Sequence, residues 1–407
     1  MKYFILLCDG MADLPVPQFS GKTPMEIAVK PTMDFLSKAS VTGMVQTVPD
    51  GVEPGSGPAN MSVMGYDPRR FYTGRSPLEA LSLGIEMSAT DMIFRMNLVS
   101  LDRKGQDYET SDMLDYSAGE ISTAEAQELV LFLRDAFEKE DIHLYPGKSY
   151  RHILLWENGP GNTILTPPHD ISGRNIREYL PKGEGSERIY AMMKASADIL
   201  SDHPINLRRR AAGMNTADSI WLWGQGTKPG MCDFFETFGK KGAVISAVDL
   251  IFGLGRAAGL DLIEVPGATG NLDTNFAGKA SAAVQAYDDG YDYIYLHVEA
   301  PDECGHHGDA AGKKESIERI SEEILSPVYT ALESRRIATG EDYRILVLPD
   351  HPTPVTTRAH SGESVPFFLY DSACPRVTDI KAFSEEEARK TGTFFASGPE
   401  LFTYFIS

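Results

Sequence analysis

Three short segments of the 407-residue chain carry the residue types that hold cations and move phosphoryl groups. "APDECGHHGD" sets Asp302 and His306 four residues apart, which puts a carboxylate and an imidazole on one side of a helical turn, where both can serve one metal ion. "LPDHPTPVTTRAHSGE" opens with adjacent Asp350 and His351, suited to ligation from the tight end of a strand, and adds His360 on the loop that follows. "MKYFILLCDG" ends on Asp9. Mixed imidazole and carboxylate donors suit Zn or Mn, and phosphoryl chemistry gains from two such ions neutralising the attacking and leaving oxygens. Each motif alone also reads as a cap or a solvated turn. Their joint occurrence after matching strands is what points to a metal centre. Cys8 and Cys304 stand beside these groups in apolar segments, which reads as packing rather than ligation.

"GVEPGSGPANMSVMGYDP" adds Ser56 in a Gly-rich turn, with Pro58 and a helix-compatible stretch behind it. Two readings stand side by side. A serine before Gly-Pro is a good helix cap. A serine at a helix N-terminus also sits among exposed N–H groups that favour a phosphoryl oxygen, and a neighbouring metal would make its hydroxyl a nucleophile.

The elements that must position these groups follow from the hydrophobic pattern. "KYFILLC", "YDYIYLHV" and "YRILVLP" are short apolar runs, each followed by an acid, as expected of buried parallel strands whose carboxyl ends line a site. Helical patterns alternate with them, "SAVDLIFGLGRAAGL" after "GAVI" and "KKESIERISEEILSPVYTALES" before "YRILVLP", so the expected fold is α/β with a doubly wound sheet. The middle of the chain has its own alternation, from "FRMNLVSL" through helix "TAEAQELVLFLRDAFEKE", strand "KSYRHILLWEN" and helix "SERIYAMMKASADIL" to strand "DSIWLWGQG". That predicts a second α/β domain, 78–239, inserted into a first made of 1–77 and 240–407, with crossings near Pro77 and Gly239.

A net charge of −20 disfavours nucleic acid and anionic membrane surfaces as partners, so an anionic substrate would need a local basic pocket. The four cysteines are scattered without a C-x-x-C pair, as in a reducing cytoplasm, and no targeting or spanning segment is read.

With Asp9 in "CDGMAD", Ser56 in "GSGPANMSVMGYDP", Asp302 and His306 in "APDECGHHGD", and Asp350, His351 and His360 in the last loop, the chain resembles the alkaline phosphatase superfamily. More narrowly, "YDPRRFYTGRSPLEALSLGIE", "FRMNLV", "DYSAGEI", "YRHILLW", "IWLWGQG" and "NLDTNFAGKA" resemble archaeal-type cofactor-independent phosphoglycerate mutases over nearly the whole length. The resemblance implies an alkaline-phosphatase-like fold and two divalent ions (Mn, Zn, Mg or Co). One would be held by Asp302, His306 and His360, the other by Asp9, Ser56, Asp350 and His351. It implies substrate contacts from Arg75, Arg95, His152, Arg209 and Lys279, with His169 and Asp170 of "PPHDISG" as further candidates and Lys279 also stabilising the transferring group. The residues themselves allow blander roles: a solvated helix face for "LRRR", a core histidine for His152, a surface lysine for Lys279, a turn cap for Asp170. The chain departs from the family pattern at Pro352, where Ser is frequent, and at Thr216-Ala217-Asp218, where Pro-Ala-Asn is expected.

The activity implied is interconversion of 3-phosphoglycerate and 2-phosphoglycerate, in glycolysis and without 2,3-bisphosphoglycerate. Ser56 would carry the phosphoryl group while the glycerate stays bound between the domains, and His152 or Asp170 would move protons. The rival is a metal-dependent phosphatase, phosphodiesterase or phosphotransferase on another phosphorylated or phosphonate metabolite, with the same ions and Ser56. A sulfatase is disfavoured by the lack of a Cys-x-Pro-x-Arg motif, and a scaffold by the complete ligand set. Oligomeric state is not legible.

Overall fold

The computed structural model describes residues 1–103 and 107–407. The chain forms two compact units, one from Met1–Tyr72 with Gly230–Ser407 and one from Thr73–Pro229. The crossings fall earlier than Pro77 and Gly239, for local reasons. Helix Arg75–Ser82 belongs with the second unit because Ser76 Oγ donates to the Gly224 carbonyl and Thr73 Oγ1 to that of Thr227. On the return, Phe234 is already buried against Tyr293 and Phe402 of the first unit.

The first unit is built on an eight-stranded sheet, in the order Asp261–Glu264, Gly242–Ser246, Tyr293–Val298, Lys2–Cys8, Tyr343–Leu348, Val365–Asp371, Val41–Val45, Phe394–Phe395. The first five strands are mutually parallel. Lys2–Cys8 and Tyr293–Val298 are buried at every position, which is why they read as continuous apolar runs: helices cover both faces. The sheet is mixed, because Val365–Asp371 runs antiparallel to both neighbours. Register does the functional work here. Leu7 lies level with His297 on one side and Leu348 on the other, so Asp9 and Asp350 leave the sheet at the same edge.

The long helical pattern ahead of Tyr343–Leu348 is realised in three pieces, Ala310–Arg319, a π-helical turn Ile320–Leu325, and Ser326–Thr339. Pro327 explains the interruption. It has no N–H to give, its ring crowds the carbonyl one turn back, and a wider turn relieves the clash.

The second unit carries an antiparallel sheet in which Met92–Asp102 pairs with Asp112–Asp115, Arg151–Trp156 and Ser219–Gly226, and Ile142–Lys148 lies beyond Arg151–Trp156. Helices Thr123–Phe137 and Ser186–Ser201 bury one face through Leu129, Leu133, Met193 and Leu200 against Phe94, Met96 and Leu154. The other face is smaller and closes over Ala80, Ile93, Ile153 and Leu155. Strand Ile142–Lys148 was hidden in the sequence by Pro146-Gly147, which reads as a turn and here marks the register shift between Tyr145 and Lys148. Among the described residues, no helix is long and apolar enough to cross a membrane.

One buried ion pair fixes the loops that leave the first unit's sheet. Lys313 is fully enclosed, and its Nζ donates to Asp13 Oδ2 at 2.7 Å, to the Ala12 carbonyl at 3.2 Å and to the Thr353 carbonyl at 2.9 Å. Breaking such a pair from one side strands the other charge in the interior, at a cost of about 3–5 kcal/mol. Lys313→Met is therefore expected to lower the unfolding free energy by about that amount. A urea melt with an unchanged midpoint would contradict the role assigned to the pair.

Candidate metal centre and nucleophile

Asp9 follows the Lys2–Cys8 strand directly and is 1% exposed. Its Oδ2 lies 2.8 Å from His297 Nε2, while its Oδ1 is buried without a hydrogen-bond partner. Asp350 is fully buried. Its Oδ1 accepts from Gly10 N at 3.1 Å and His351 N at 2.9 Å, and its Oδ2 accepts from Asn60 Nδ2 at 2.8 Å. His351 Nε2 sits 3.3 Å from Asp350 Oδ2 and 3.7 Å from Asp9 Oδ1. The backbone between these groups has no room for a side chain: a Cβ on Gly10 (φ +60°) would stand 2.5 Å from Asp302 Oδ1.

The second set comes from helix Ala300–His307, whose turn carries Asp302 and His306 as their spacing predicts. Asp302 Oδ2 is 3.2 Å from His306 Nε2, and Oδ1 is 3.6 Å from His360 Nε2. Thr353 Oγ1 also donates to Oδ1. His306 Nε2 and His360 Nε2 face each other at 2.9 Å. His306 Nδ1 lies 3.0 Å from the Arg358 carbonyl, which can only accept, so Nδ1 carries a proton and Nε2 is the nitrogen turned toward Asp302 and His360. Two imidazole nitrogens and a carboxylate converge on one point, a donor set that could hold a cation.

Electrostatics agree. Burial pushes the Asp9 carboxyl well above the usual carboxylate range, and neighbouring Asp350 and Asp302 push it further. Burial also acts upward on Asp302, but hydrogen bonds from His306 and His360 outweigh it and hold the carboxyl below the ordinary range. Hydrogen bonding to Asp302 raises His306 to about 9. Buried carboxylates packed this closely are stable as anions only beside positive charge. The orphaned Asp9 oxygen and the inward imidazole nitrogens therefore fit bound divalent cations. Two compact donor groups emerge, Asp9 with Asp350 and His351, and Asp302 with His351 and His360.

Ser56 opens helix Ser56–Val63, with Gly55 in the capping position and no side-chain cap, so the serine hydroxyl is not engaged in capping. Its Oγ lies 3.3 Å from His351 Nε2.

In the second unit, Arg75 Nε donates to Glu79 Oε1 at 2.8 Å, and Arg95 Nε lies 2.9 Å from Glu79 Oε2 without hydrogen-bond alignment. Burial lowers the Arg95 pKa; Glu79 opposes that, while nearby Arg75 and Arg151 add to it. The Arg95 guanidinium stacks over Trp223 at 4.7 Å, and the His169 ring meets Trp223 edge-on at 5.2 Å. Exposed Asp170 lies 3.6 Å from His169 Nε2.

A family model described as 2,3-bisphosphoglycerate-independent phosphoglycerate mutase matches residues 37–206. A probable 2,3-bisphosphoglycerate-independent phosphoglycerate mutase of Geobacter sulfurreducens is 46% identical over 98% of both chains, and the Methanosarcina mazei mutase is 45% identical over the whole of both. The chain belongs to this family of mutases. As a member it is an isomerase. Among solved structures, the PH0037 protein of Pyrococcus horikoshii superposes with a TM-score of 0.81 at 28% identity, covering 100% of this chain and 97% of that one. The cofactor-independent mutase of Thermoplasma acidophilum, at 21% identity and a TM-score of 0.69 over 100% and 99%, shares the α/β fold.

Against the mutase reading of the sequence, Asp9, Ser56, Asp350 and His351 come together, as do Asp302, His306 and His360. His351 stands within reach of both groups. Arg75, Arg95 and His169 gather around Glu79 and Trp223.

Three expected substrate contacts are placed elsewhere. Arg209 is 3% exposed, with Nε on the Asn215 carbonyl, Nη1 on Glu125 and Nη2 on the Ala118 carbonyl, so its guanidinium is consumed inside the second unit. His152 is 2% exposed and shares its strand face with core residue Leu154; Nδ1 accepts from Gly147 N at 2.9 Å, and burial lowers its pKa to about 3. Lys279 is 0% exposed and donates to the His297 carbonyl at 2.9 Å, with burial drawing its pKa down to about 8. The Thr216-Ala217-Asp218 turn is likewise internal. Asn206 clamps both backbone groups of Ala217, and Asp218 Oδ2 accepts from Leu101 N. Pro352 meets Met11 and Ala12 of the loop beyond Asp9.

Sequence reasoning missed the groups that hold the carboxylates, namely Gly10, Asn60, His297 and Thr353. Only His297 left a signal, as a lone ionisable residue inside the apolar run "YIYLHV".

Arg209→Met is expected to destabilise the chain by about 3 kcal/mol, because Glu125 and two carbonyls lose their donors, while leaving the KM for phosphoglycerate unchanged. A rise in KM without loss of stability would return Arg209 to the substrate. Since the folded pKa of His306 is raised, the Asp302–His306 pair stabilises metal-free protein fully below the ordinary histidine pKa of about 6.5 and ceases to do so as pH rises through about 9. Metal-free chain should therefore melt lower at pH 9 than at pH 6.5. Mn(II) uptake, which displaces that proton, should strengthen over the same interval, and a flat profile for both would refute the pairing.

Proposed function

We propose that this chain interconverts 3-phosphoglycerate and 2-phosphoglycerate in the cytoplasm through a phosphoserine at Ser56, with two divalent ions and without 2,3-bisphosphoglycerate. The observation that carries the reading is Ser56 Oγ, not engaged in capping, at a helix N-terminus 3.3 Å from the Nε2 of His351, a residue common to two clusters that could hold a cation. One ion would be held by Asp302, His306 and His360, the other by Asp9, Asp350, His351 and Ser56; Mn, Zn, Mg and Co all accept such donors. When bound, the ions supply positive charge that favours ionised Ser56 and offsets charge on the phosphoryl oxygens.

The chain's own groups account for the rest. Ser56 Oγ forms a bond to phosphorus as the bond to the glycerate oxygen breaks, and the first-turn N–H groups of Ser56–Val63 favour the negative charge carried there. The released glycerate oxygen takes up a proton, and the other hydroxyl of the retained glycerate gives up its own as it bonds to phosphorus and the Ser56 Oγ–phosphorus bond breaks, which returns ionised Ser56. The second unit serves substrate recognition, with Arg75 and Arg95 as the cations that take the glycerate carboxylate and with His169 and exposed Asp170 as polar groups beside them. A cationic cluster matters more in a chain of net charge −20, whose overall field repels a phosphorylated acid.

Phosphorus NMR of Mn-loaded chain with 3-phosphoglycerate, in buffer free of 2,3-bisphosphoglycerate, is expected to show 2-phosphoglycerate. Inorganic phosphate instead would make the chain a phosphatase. Ser56→Ala should abolish transfer while metal content stays at the wild-type level, and residual mutase turnover in that variant would remove Ser56 from the mechanism.

A further inference from the structure

We infer that His297 is a positioning residue for the metal centre: it holds one oxygen of Asp9 through its Nε2–H and so presents the other oxygen to the cation. The inference rests on the metal reading proposed above. Strand Tyr293–Val298 is buried at every position, and Tyr295 and His297, two residues apart, point to the same face. His297 Nε2 lies 2.8 Å from Asp9 Oδ2, and His297 Nδ1 lies 3.2 Å from Ser246 Oγ.

The direction of these bonds follows from Asp9. As a metal-ligating anion its carboxylate can only accept, so the His297 ring proton sits on Nε2 and is directed at Asp9 Oδ2. The neutral ring then accepts at Nδ1, and Ser246 Oγ, which itself accepts from Val248 N at 3.1 Å, gives its hydroxyl proton to that nitrogen. The chain Val248 N–H to Ser246, Ser246 to His297, and His297 to Asp9 therefore runs one way. Lys279 Nζ anchors the same residue from behind through the His297 carbonyl.

The consequence falls on Asp9. A carboxylate rotating freely could offer either oxygen or both to an ion. Here Oδ2 is occupied and Oδ1, equally buried, has no partner and faces His351 Nε2 at 3.7 Å. Tyr295 does the corresponding work for Asp350 at one remove, its OH donating to Asn60 Oδ1 at 2.6 Å and Asn60 Nδ2 to Asp350 Oδ2 at 2.8 Å. One strand face thus orients both carboxylates of the Asp9–Asp350–His351 group. The Asp302–His306–His360 group takes its orientation from Thr353 and the Arg358 carbonyl instead.

Groups that orient metal ligands in this way change affinity by about 10–100-fold when removed. The test is equilibrium dialysis of the full chain against MnCl2, with metal counted per chain, for wild type, His297→Leu, His297→Gln and Ser246→Ala, alongside thermal melts of the metal-free proteins and kcat and KM for 3-phosphoglycerate. His297→Leu is expected to weaken one Mn(II) site by about 10–100-fold and leave the other at wild-type affinity, with kcat falling and KM unchanged. His297→Gln keeps an N–H donor toward Asp9 and should recover most of that loss, whereas Ser246→Ala should weaken the same site severalfold without unfolding the chain. Wild-type uptake of two ions with equal affinity in all three variants would overturn the positioning role alone. Equal losses in His297→Leu and His297→Gln that track a lowered melting temperature would do so too, assigning His297 to packing. Wild-type chain that takes up no Mn(II) would overturn the metal reading and this inference with it.

Discussion

The structure is organised around mutual repulsion among carboxylates that the fold buries together. Asp9, Asp302 and Asp350 come from distant parts of the sequence, are almost wholly removed from water, and meet at one edge of a sheet. Isolated carboxylates would not tolerate that burial as anions. Around them stand His306, His351 and His360, donors from Gly10, Asn60, His297 and Thr353, and an Asp9 oxygen with no partner. Such an arrangement is incomplete as a purely internal network and fits the cation sites proposed above. Burial, register and loop restraint keep these like charges close together.

The two units meet different demands with different sheets. Parallel strands deliver side chains from several loops to one edge, and the first unit uses its central strands in this way. Lys313 fastens two of the emerging loops through Ala12, Asp13 and Thr353, while Gly10 permits the backbone to pass against Asp302. The second unit uses an antiparallel sheet whose larger face is closed by helices and whose other side carries Arg95, Trp223 and their aromatic neighbours. Arg75 and Arg95 both meet Glu79 in this unit.

The parts of this account that were legible in the sequence are those where local chemistry and tertiary role coincide. The buried central strands are apolar throughout, so they announce themselves, and an acid just past such a strand is a readable signal. The four-residue step from Asp302 to His306 survives because a helix imposes it. Strands Val41–Val45 and Val365–Asp371 escaped notice, the first interrupted by Gly43 and the second containing Pro366, and the antiparallel turn of the sheet went with them. Basic residues were the least legible. Arg209 and Lys279 are cations in sequence but buried donors in the fold, because the carbonyls that engage them lie elsewhere along the chain or on a neighbouring strand. Nothing in "LRRR" distinguishes its middle arginine from exposed neighbours until the helix is packed.

Whether the buried carboxylates and imidazoles form a centre for two divalent ions is decided by anomalous X-ray diffraction at the Mn absorption edge from crystals of this chain grown with MnCl2. Two peaks are expected in the first unit, one within ligand distance of Asp9, Asp350 and His351 and one within ligand distance of Asp302, His306 and His360. Crystals that show well-ordered side chains at these positions and no anomalous peak beside them would contradict that expectation.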